Sequence, residues 1–350
     1  MAKLLAWNFR TGLLIGCLIA VAVAAAAVTY ERYDTKTLKR TVRRDAVQCG
    51  VNTGLPGFSS VDDKGNWSGF DVDFCRAIAA AIFDDPKKVR FIPLESKERF
   101  EELGKRKVDV LARNSTWTMA RETEYYLHFA GVSFYDGQGF MVPRSRNVES
   151  ALALDGSKVC VQSDTTTELN LADYFGANNM KFEAKKFGSV DDVFKAYESG
   201  QCDTLTSDVA QLYALRLRLG KPADHVILAD VVSKEPLSPV VRQKDDDWLL
   251  LVKWTLFAMI NAEELGIDSK NIGDALKSKK PDVMRFVGTE GEYGENLGLT
   301  KDWAVRIIRH VGNYGEVYER NVGTGSKLGI PRGLNQLWNA GGILYAPPIR

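Results

Sequence analysis

The stretch VDVLARNSTWTMARETEYYLHFA, residues 108–130, ends a short apolar run in small hydroxyl side chains and then places Arg121. A guanidinium presents a planar fork of donors that matches a carboxylate two bonds at a time. Thr116 and Thr118 stand close enough in sequence to add hydroxyl donors to the same anion. A second stretch, CDTLTSDVAQLYALR, ends a β-like run in Asp208, whose carboxylate would accept hydrogen bonds from an ammonium. Thr165 and Thr166 open another helix-like segment nearby. A cation on one edge and an anion on the facing edge, both flanked by hydroxyls, suit a zwitterion such as an α-amino acid. The plainer alternative is a solvated helix arginine and an aspartate that caps the helix beginning VAQLYALRLRLG. Spacing alone leaves both open.

The elements that must position these residues alternate. AVQCGVN reads as a strand, DVDFCRAIAAAIF as a helix with acidic residues in its first turn, and VRFIPL as a strand. SKERFEELGKRK then reads as a helix and VDVLA as a strand, the alternation that builds an α/β layer around a parallel sheet. The same grammar restarts at SKVCVQ, with TTTELNLADYFGANN, MKFEAKKF, SVDDVFKAYESG and CDTLTS following in turn.

The two units echo each other. FEELGKRKVDVLARN and FKAYESGQCDTLTSD overlay from Phe100 and Phe194, which superposes Asp109 on Asp203 and Asn114 on Asp208. Asn114 and Asp208 then lie just beyond the carboxyl ends of equivalent strands, where open α/β sheets bind ligands. Two such lobes facing one another would enclose a cleft. GQGFMVPRSRN joins the units, and the chain after SKEPLSPVV reads as mainly helical, with a break expected at Gly312 and Gly315. Its Trp and Leu stripes are core.

Bulk properties set the frame. The chain has 350 residues, is 45% hydrophobic and carries a formal net charge of +1, with no basic footprint for nucleic acid. Lys3 and Arg10 precede an apolar run from Thr11 to Val28, which reads as an export signal, cleaved or kept as a membrane anchor, over residues 1–29. LIGC, ending in Cys17, also resembles a lipoprotein processing site. Export leaves Cys49, Cys75, Cys160 and Cys202 in an oxidising compartment, an even set of which three pairings exist. Cys49 with Cys75 and Cys160 with Cys202 is the expected choice, because each pair falls within one lobe.

No other chemistry competes. There is no CxxC or HExxH, and three histidines form no evident metal cluster, so no metal and no cofactor are expected. No histidine stands in a triad motif, and His128 at the end of an apolar stretch reads as structural. GTEGEYGENLG and NVGTGSKLG lack the Walker spacing.

Beyond these readings, the sequence resembles the amino-acid-binding proteins of bacterial ABC importers from about Gln48 to the C-terminus. The carriers are GVNTGLPGFSSVDDKGNWSGFDVDFCRAIAAAIF, the Arg121 stretch extended through FYDGQGFMV, VCVQSDTTTELNLADYF and the Asp208 stretch. NTGLPGF, RNSTWTMAR and the terminal GGILYAPPIR are similar to the general L-amino-acid-binding branch.

The resemblance implies a type II periplasmic-binding-protein fold: two α/β lobes, each a mixed or parallel sheet flanked by helices, joined by two crossover hinge segments. Lobe 1 would comprise residues 43–142 and 236–350, and lobe 2 residues 143–235, with hinges near Gly139–Arg144 and Ser233–Pro239. It implies that Arg121 clamps the ligand carboxylate with Thr116 and Thr166, while Asp208 holds the α-ammonium. Asn52 and Leu55 fall where relatives carry an acid and an aromatic ring against the ligand, so a less selective side-chain pocket is expected. Asp164 replaces a glycine, an extra carboxylate that would favour cationic side chains if it faced the cleft.

The function implied is periplasmic, non-enzymatic capture of L-amino acids by a monomer, with delivery to the permease subunits of an ABC transporter. Two other readings stay in view: a membrane-tethered amino-acid sensor, and an exported dehydratase-like enzyme on the same fold.

Overall fold

The structure, a computed structural model, describes residues 36–350. The export signal and Cys17 lie outside the described residues. By contact density the chain divides into Met1–Asp45 and Ala46–Arg350. Within the first unit the described residues form a short helix, Thr37–Arg44, closed by Asp45 in the left-handed region at φ 58°. The unit that carries the sheets begins at Ala46.

Ala46–Arg350 holds two five-stranded sheets of matching design. In the first, the order is β4 (Val89–Pro93), β1 (Val47–Val51), β5 (Val110–Leu111), β14 (Val240–Arg242) and β6 (Leu127–Phe129). In the second it is β10 (Phe182–Phe187), β9 (Ser157–Gln162), β11 (Thr204–Asp208), β8 (Gln138–Pro143) and β12 (His225–Ile227). The first three strands of each run parallel, and the fourth enters antiparallel. β1, β5, β9 and β11 are almost wholly buried, as strands covered on both faces must be.

The echo seen in the sequence is a structural repeat. The Asp109 carboxylate accepts from the backbone N–H of Gln48 at 2.9 Å, and that of Asp203 from Lys158 at 2.9 Å. Each aspartate, one residue before the third strand of its sheet, therefore tethers that strand to the start of the second, β1 or β9.

The lobes are joined by β7 (Phe134–Asp136) and β13 (Glu235–Leu237), which pair antiparallel as a two-stranded ribbon with Glu235 opposite Asp136. This moves the first crossing upstream of the expected Gly139–Arg144. Residues Gln138–Pro143 are not a linker but the strand β8 inside the second sheet, so a lobe boundary at 142 does not match the sheet order. The sequence is ambiguous here because an extended apolar run reads equally as a connector or as a buried strand. Packing removes the ambiguity: a Cβ on Gly139 would stand 2.9 Å from Val209 Cγ2. The second crossing falls within Ser233–Pro239, as expected.

Disulfides join Cys49 to Cys75 and Cys160 to Cys202, the expected pairs. The first links β1 to the helix Phe70–Phe83, and the second links β9 to the turn before β11. Past β14 the chain is helical. Asp246–Glu264 and Trp303–His310 pack on Phe70–Phe83. The expected break occurs at Gly312, where φ is 94°, and Asn313 and Glu316 form a capping box for Tyr314–Asn321. Gly315 lies inside that helix and breaks nothing.

These helices do more than fill the first core. Tyr314 donates to the carbonyl of Ser133 at 2.9 Å, and Tyr318 stacks on Phe134 of β7. The Asn335 side chain accepts from Tyr135 N–H at 2.7 Å and donates to Tyr135 C=O at 3.0 Å, gripping the ribbon from outside. Among the described residues no helix is long and apolar enough to cross a membrane, and no group of three or more His, Cys, Asp and Glu is placed to hold a metal ion.

Candidate functional site

The carboxyl ends of β5, β9 and β11 face one small cavity between the lobes. From the first lobe it is lined by Ser96, Arg99, Arg113, Asn114, Thr116 and Arg121, and from the second by Gln162, Thr165–Thr167, Thr206–Asp208 and Gln211.

Arg121 sits on the six-residue helix Met119–Glu124 and is the only buried residue of that helix. Only 9% of it is exposed, which excludes a solvated helix face. Its Nη1 donates to the Thr116 carbonyl at 2.7 Å, and its guanidinium carbon lies 5.4 Å from the centre of the Phe100 ring. The fork is thus held from two sides while its remaining donors stay available. Burial disfavours its charged form, and Glu235 and Asp208 oppose that. Thr118 does not line the cavity: its hydroxyl is the N-cap, accepting from Arg121 N–H at 3.3 Å.

Asp208 ends β11 at the N-cap position of the helix Val209–Arg216, yet its side chain makes no capping bond. That observation removes the plain alternative. The carboxyl is buried and lines the cavity. Burial pushes its pKa well above the usual carboxylate range, Asp136 and Glu235 add to this, and Arg121 and a hydrogen bond from Asn114 oppose it. A buried carboxyl so placed gains most from an incoming cation.

Asn114 links the lobes. It occupies a left-handed conformation, φ 36°, that asparagine tolerates better than most residues. Its side chain accepts from Asn52 Nδ2 at 3.0 Å and donates to Gln211 of the second lobe at 3.4 Å. Its backbone N–H donates to Asp71 at 3.1 Å.

The other expected residues divide. Thr116 and Thr166 meet across the cavity, with their hydroxyls 3.4 Å apart. Thr165 lines the cavity, but its hydroxyl donates to the Gln162 carbonyl at 2.7 Å and caps the helix Thr166–Ala177. Asn52 and Leu55 are buried outside the lining. Asn52 acts behind Asn114, and Leu55 closes a tight loop onto Ser59. Asp164 is exposed, with φ 60°, and does not line the cavity, which corrects the expectation of a carboxylate for cationic side chains. His128 is a strand residue in β6 paired with Val241.

Three residues at the site were not anticipated. Glu235 of the ribbon is buried and accepts from Thr116 at 2.6 Å, Thr166 at 2.9 Å and Asn170 at 2.7 Å. It thereby joins both lobes to the hinge strand, and an acid inside SKEPLSPVV was the available signal. Arg99 and Arg113 bring two more buried guanidiniums to the cavity. Arg113 lies in the VDVLARN stretch, where no role was expected of it, and Arg99 lies in SKERFEELGKRK, which reads from sequence only as a helix.

One consequence concerns stability. Burial raises Asp71 to about 7, against the hydrogen bond from Asn114 N–H and the charge of Arg113. The folded chain then holds a proton that the unfolded chain has released above its ordinary pKa of 3.8. Stability therefore falls as pH rises through about 7. Asp71→Asn retains an oxygen acceptor for Asn114 and removes the titration. Thermal melts of ligand-free protein should show the wild type losing on the order of 2 kcal/mol more than the variant between pH 5.5 and 8.5. Parallel losses in the two proteins would contradict this origin.

Comparison with known proteins agrees with this geometry. Residues 47–274 match the bacterial extracellular solute-binding proteins, family 3. The general L-amino acid-binding periplasmic protein AapJ of Rhizobium johnstonii is 52% identical over 95% of this chain and 98% of its own length. The glutamate/glutamine/aspartate/asparagine-binding protein BztA of Rhodobacter capsulatus is 45% identical over 94% and 97%. A solved ABC-transporter periplasmic binding protein from Brucella ovis, with glutathione bound, is 52% identical, covers 90% of this chain and 100% of its own, and superposes with a TM-score of 0.89. A cavity of one cationic and one anionic edge, between two sheets of this order joined by a two-stranded ribbon, accompanies that sequence match, and the chain belongs to the bacterial extracellular solute-binding proteins of family 3.

Proposed function

We propose that this chain captures L-α-amino acids in the periplasm and delivers them to the permease subunits of an ABC importer, acting as a monomer and without catalysis. The observation that carries the reading is Asp208: a buried carboxyl at a helix start that caps nothing and faces a cavity shared with Arg121. Arg121 takes the α-carboxylate, with Thr166 beside it, and Asp208 takes the α-ammonium with Asn114 as its neighbour. The β7–β13 ribbon is the hinge on which the lobes close over the ligand. Glu235 and Asp136, opposite one another in that ribbon, couple the cavity floor to the crossing.

Family membership, the amino-acid-binding roles of AapJ and BztA and the ABC-transporter assignment of the Brucella protein support this over a tethered sensor or a dehydratase-like enzyme. A thermal-shift screen of the mature protein against the twenty amino acids tests it. Glutathione belongs in the screen because the Brucella protein was solved with it. Several amino acids should raise the melting temperature, since a ligand that binds only the folded state stabilises it by mass action. A flat response across the whole set would reject the reading.

A further inference from the structure

We propose that Asp136, on the hinge strand β7, is a positioning residue for the ammonium seat: it caps the helix that follows Asp208 and so keeps the Asp208 carboxyl free for the ligand. The proposal rests on the amino-acid-binding reading above and says what holds its anionic group ready.

A helix leaves its first N–H groups without partners inside the helix, and an aspartate at the N-cap normally takes the one at the second or third position. Asp208 has the residue type and the place for that work at the start of Val209–Arg216, yet it makes no such bond. The donors are met from the hinge instead. Val209 N–H donates to the Gly137 carbonyl at 2.8 Å. Ala210 N–H donates to the Asp136 carboxylate, whose two oxygens lie at 3.2 and 3.4 Å. The same carboxylate accepts from Gly137 N–H at 2.9 Å.

The corner Asp136–Gly137, where the ribbon turns into β8, is shaped for this contact. β8 and β11 pair antiparallel with Gln138 opposite Asp208, which sets the corner beside the helix start. A Cβ on Gly137 would stand 2.2 Å from Val231 Cγ1 and 2.8 Å from the Ser233 carbonyl oxygen, so the chain passes this point only as glycine.

Without Asp136, two roles would compete for Asp208. In the cavity, burial and the neighbouring carboxyls of Asp136 and Glu235 disfavour its charge, against Arg121 and the hydrogen bond from Asn114. At the helix start, unmet N–H groups and the positive end of the helix dipole favour that charge. Asp136 closes the second role by occupying Ala210 N–H. Burial pushes Asp136 itself up to about 7, against the N–H groups of Gly137, Ala210 and Val209, and Glu235 adds to the rise. Protonated or ionised, it keeps an oxygen for Ala210, so an amide is the fitting replacement.

The test compares Asp136→Ala, which removes the cap, with Asp136→Asn, which removes the charge and keeps an acceptor. Calorimetry with L-alanine and with propionate, the same acid without its amino group, reads the effect on the seat. In Asp136→Ala, L-alanine should lose roughly five- to thirtyfold in affinity, the scale of one helix cap, and propionate less than about twofold. Asp136→Asn should recover most of the L-alanine loss. A crystal structure of ligand-free Asp136→Ala should show the Asp208 carboxyl turned onto the N–H of Ala210 or Gln211. Unchanged L-alanine affinity, or an Asp208 that still faces the cavity in that structure, would overturn the proposal. So would equal losses for the two ligands, which mark a general disturbance of the cavity. A loss in Asp136→Asn as large as in Asp136→Ala would overturn it too, because that marks a role for charge alone. If Asp136→Ala does not fold, Asp136→Ser carries the same test, since its hydroxyl stops one bond short of Ala210. The orientation of Asp208 in the ligand-free variant needs no ligand. It decides the point even if the amino-acid reading fails, which a wild type that binds no amino acid would show.

Discussion

Arg121→Ala should abolish measurable amino-acid binding while leaving the protein folded. The side chain is buried, anchored by one bond to the Thr116 carbonyl and by the Phe100 ring. Those anchors leave the rest of the fork free for two parallel bonds to a carboxylate. Truncating one partner of a buried charge pair costs roughly 2–5 kcal/mol, or about thirty- to several-thousand-fold in affinity. A micromolar ligand, worth about −8 kcal/mol, would move toward the millimolar range. The fold should survive because Arg121 is a burden to the empty protein: burial disfavours its charge. Arg121→Lys should recover part of the affinity, since an ammonium supplies charge without the fork. Calorimetry that finds near-native affinity in the alanine variant, with the melting transition intact, would sink the assignment of this arginine.

Asp208→Asn should remove binding almost as completely, and with a different signature. The amide retains the shape of the carboxyl and loses the charge that an α-ammonium needs. The two requirements can be separated with a carboxylic acid lacking the amino group. Against that ligand, wild type and Asp208→Asn should differ by less than about threefold, while the amino acid loses roughly a hundredfold or more. Equal losses for both ligands would show that the substitution damages the cavity as a whole.

The pH dependence adds a second readout. In the ligand-free protein burial lifts the pKa of Asp208 well above its ordinary value of 3.8, so the empty site competes for a proton. An incoming ammonium favours the ionised form, and binding therefore releases that proton. Affinity should fall as the pH is lowered from neutral, and calorimetry in buffers of different ionisation enthalpy should detect the release. Asp208→Asn should show neither effect. The same variant should raise the stability of the empty protein at high pH, because the folded-state cost of ionising Asp208 is gone. Loss of function with gain of stability is expected where a site stores an unmet charge.

Much of the candidate site was legible because local chemistry marked it. Arg121 and Asp208 stand just beyond strand ends, and the overlay of Asn114 on Asp208 placed both at the edge of a sheet. The common role of Asp109 and Asp203 in the two sheets is the structural content of that overlay. What misled was also local. Thr118 and Thr165 have the right chemistry for a ligand, but a hydroxyl one residue before a helix satisfies a backbone N–H first. Asn52 and Leu55 lie in the expected loop, yet that loop folds back on itself through Leu55 and Ser59 and presents Asn114 in place of Asn52.

By itself the sequence determined the alternation of strands and helices, the repeat, the two disulfides and one charged residue on each lip of the cleft. These follow from periodicity, from cysteine parity and from residue type at strand ends, all of them local or countable. Only the tertiary structure decided that Gln138–Pro143 is a strand of the second sheet, that β7 and β13 form the crossing, and that Arg99 and Arg113 line the cavity while Glu235 binds its Thr116 and Thr166. The physical reason is common to all three. Residues far apart in the chain meet there, and whether an arginine is a solvated charge or a buried, half-satisfied donor depends on what the rest of the fold brings against it.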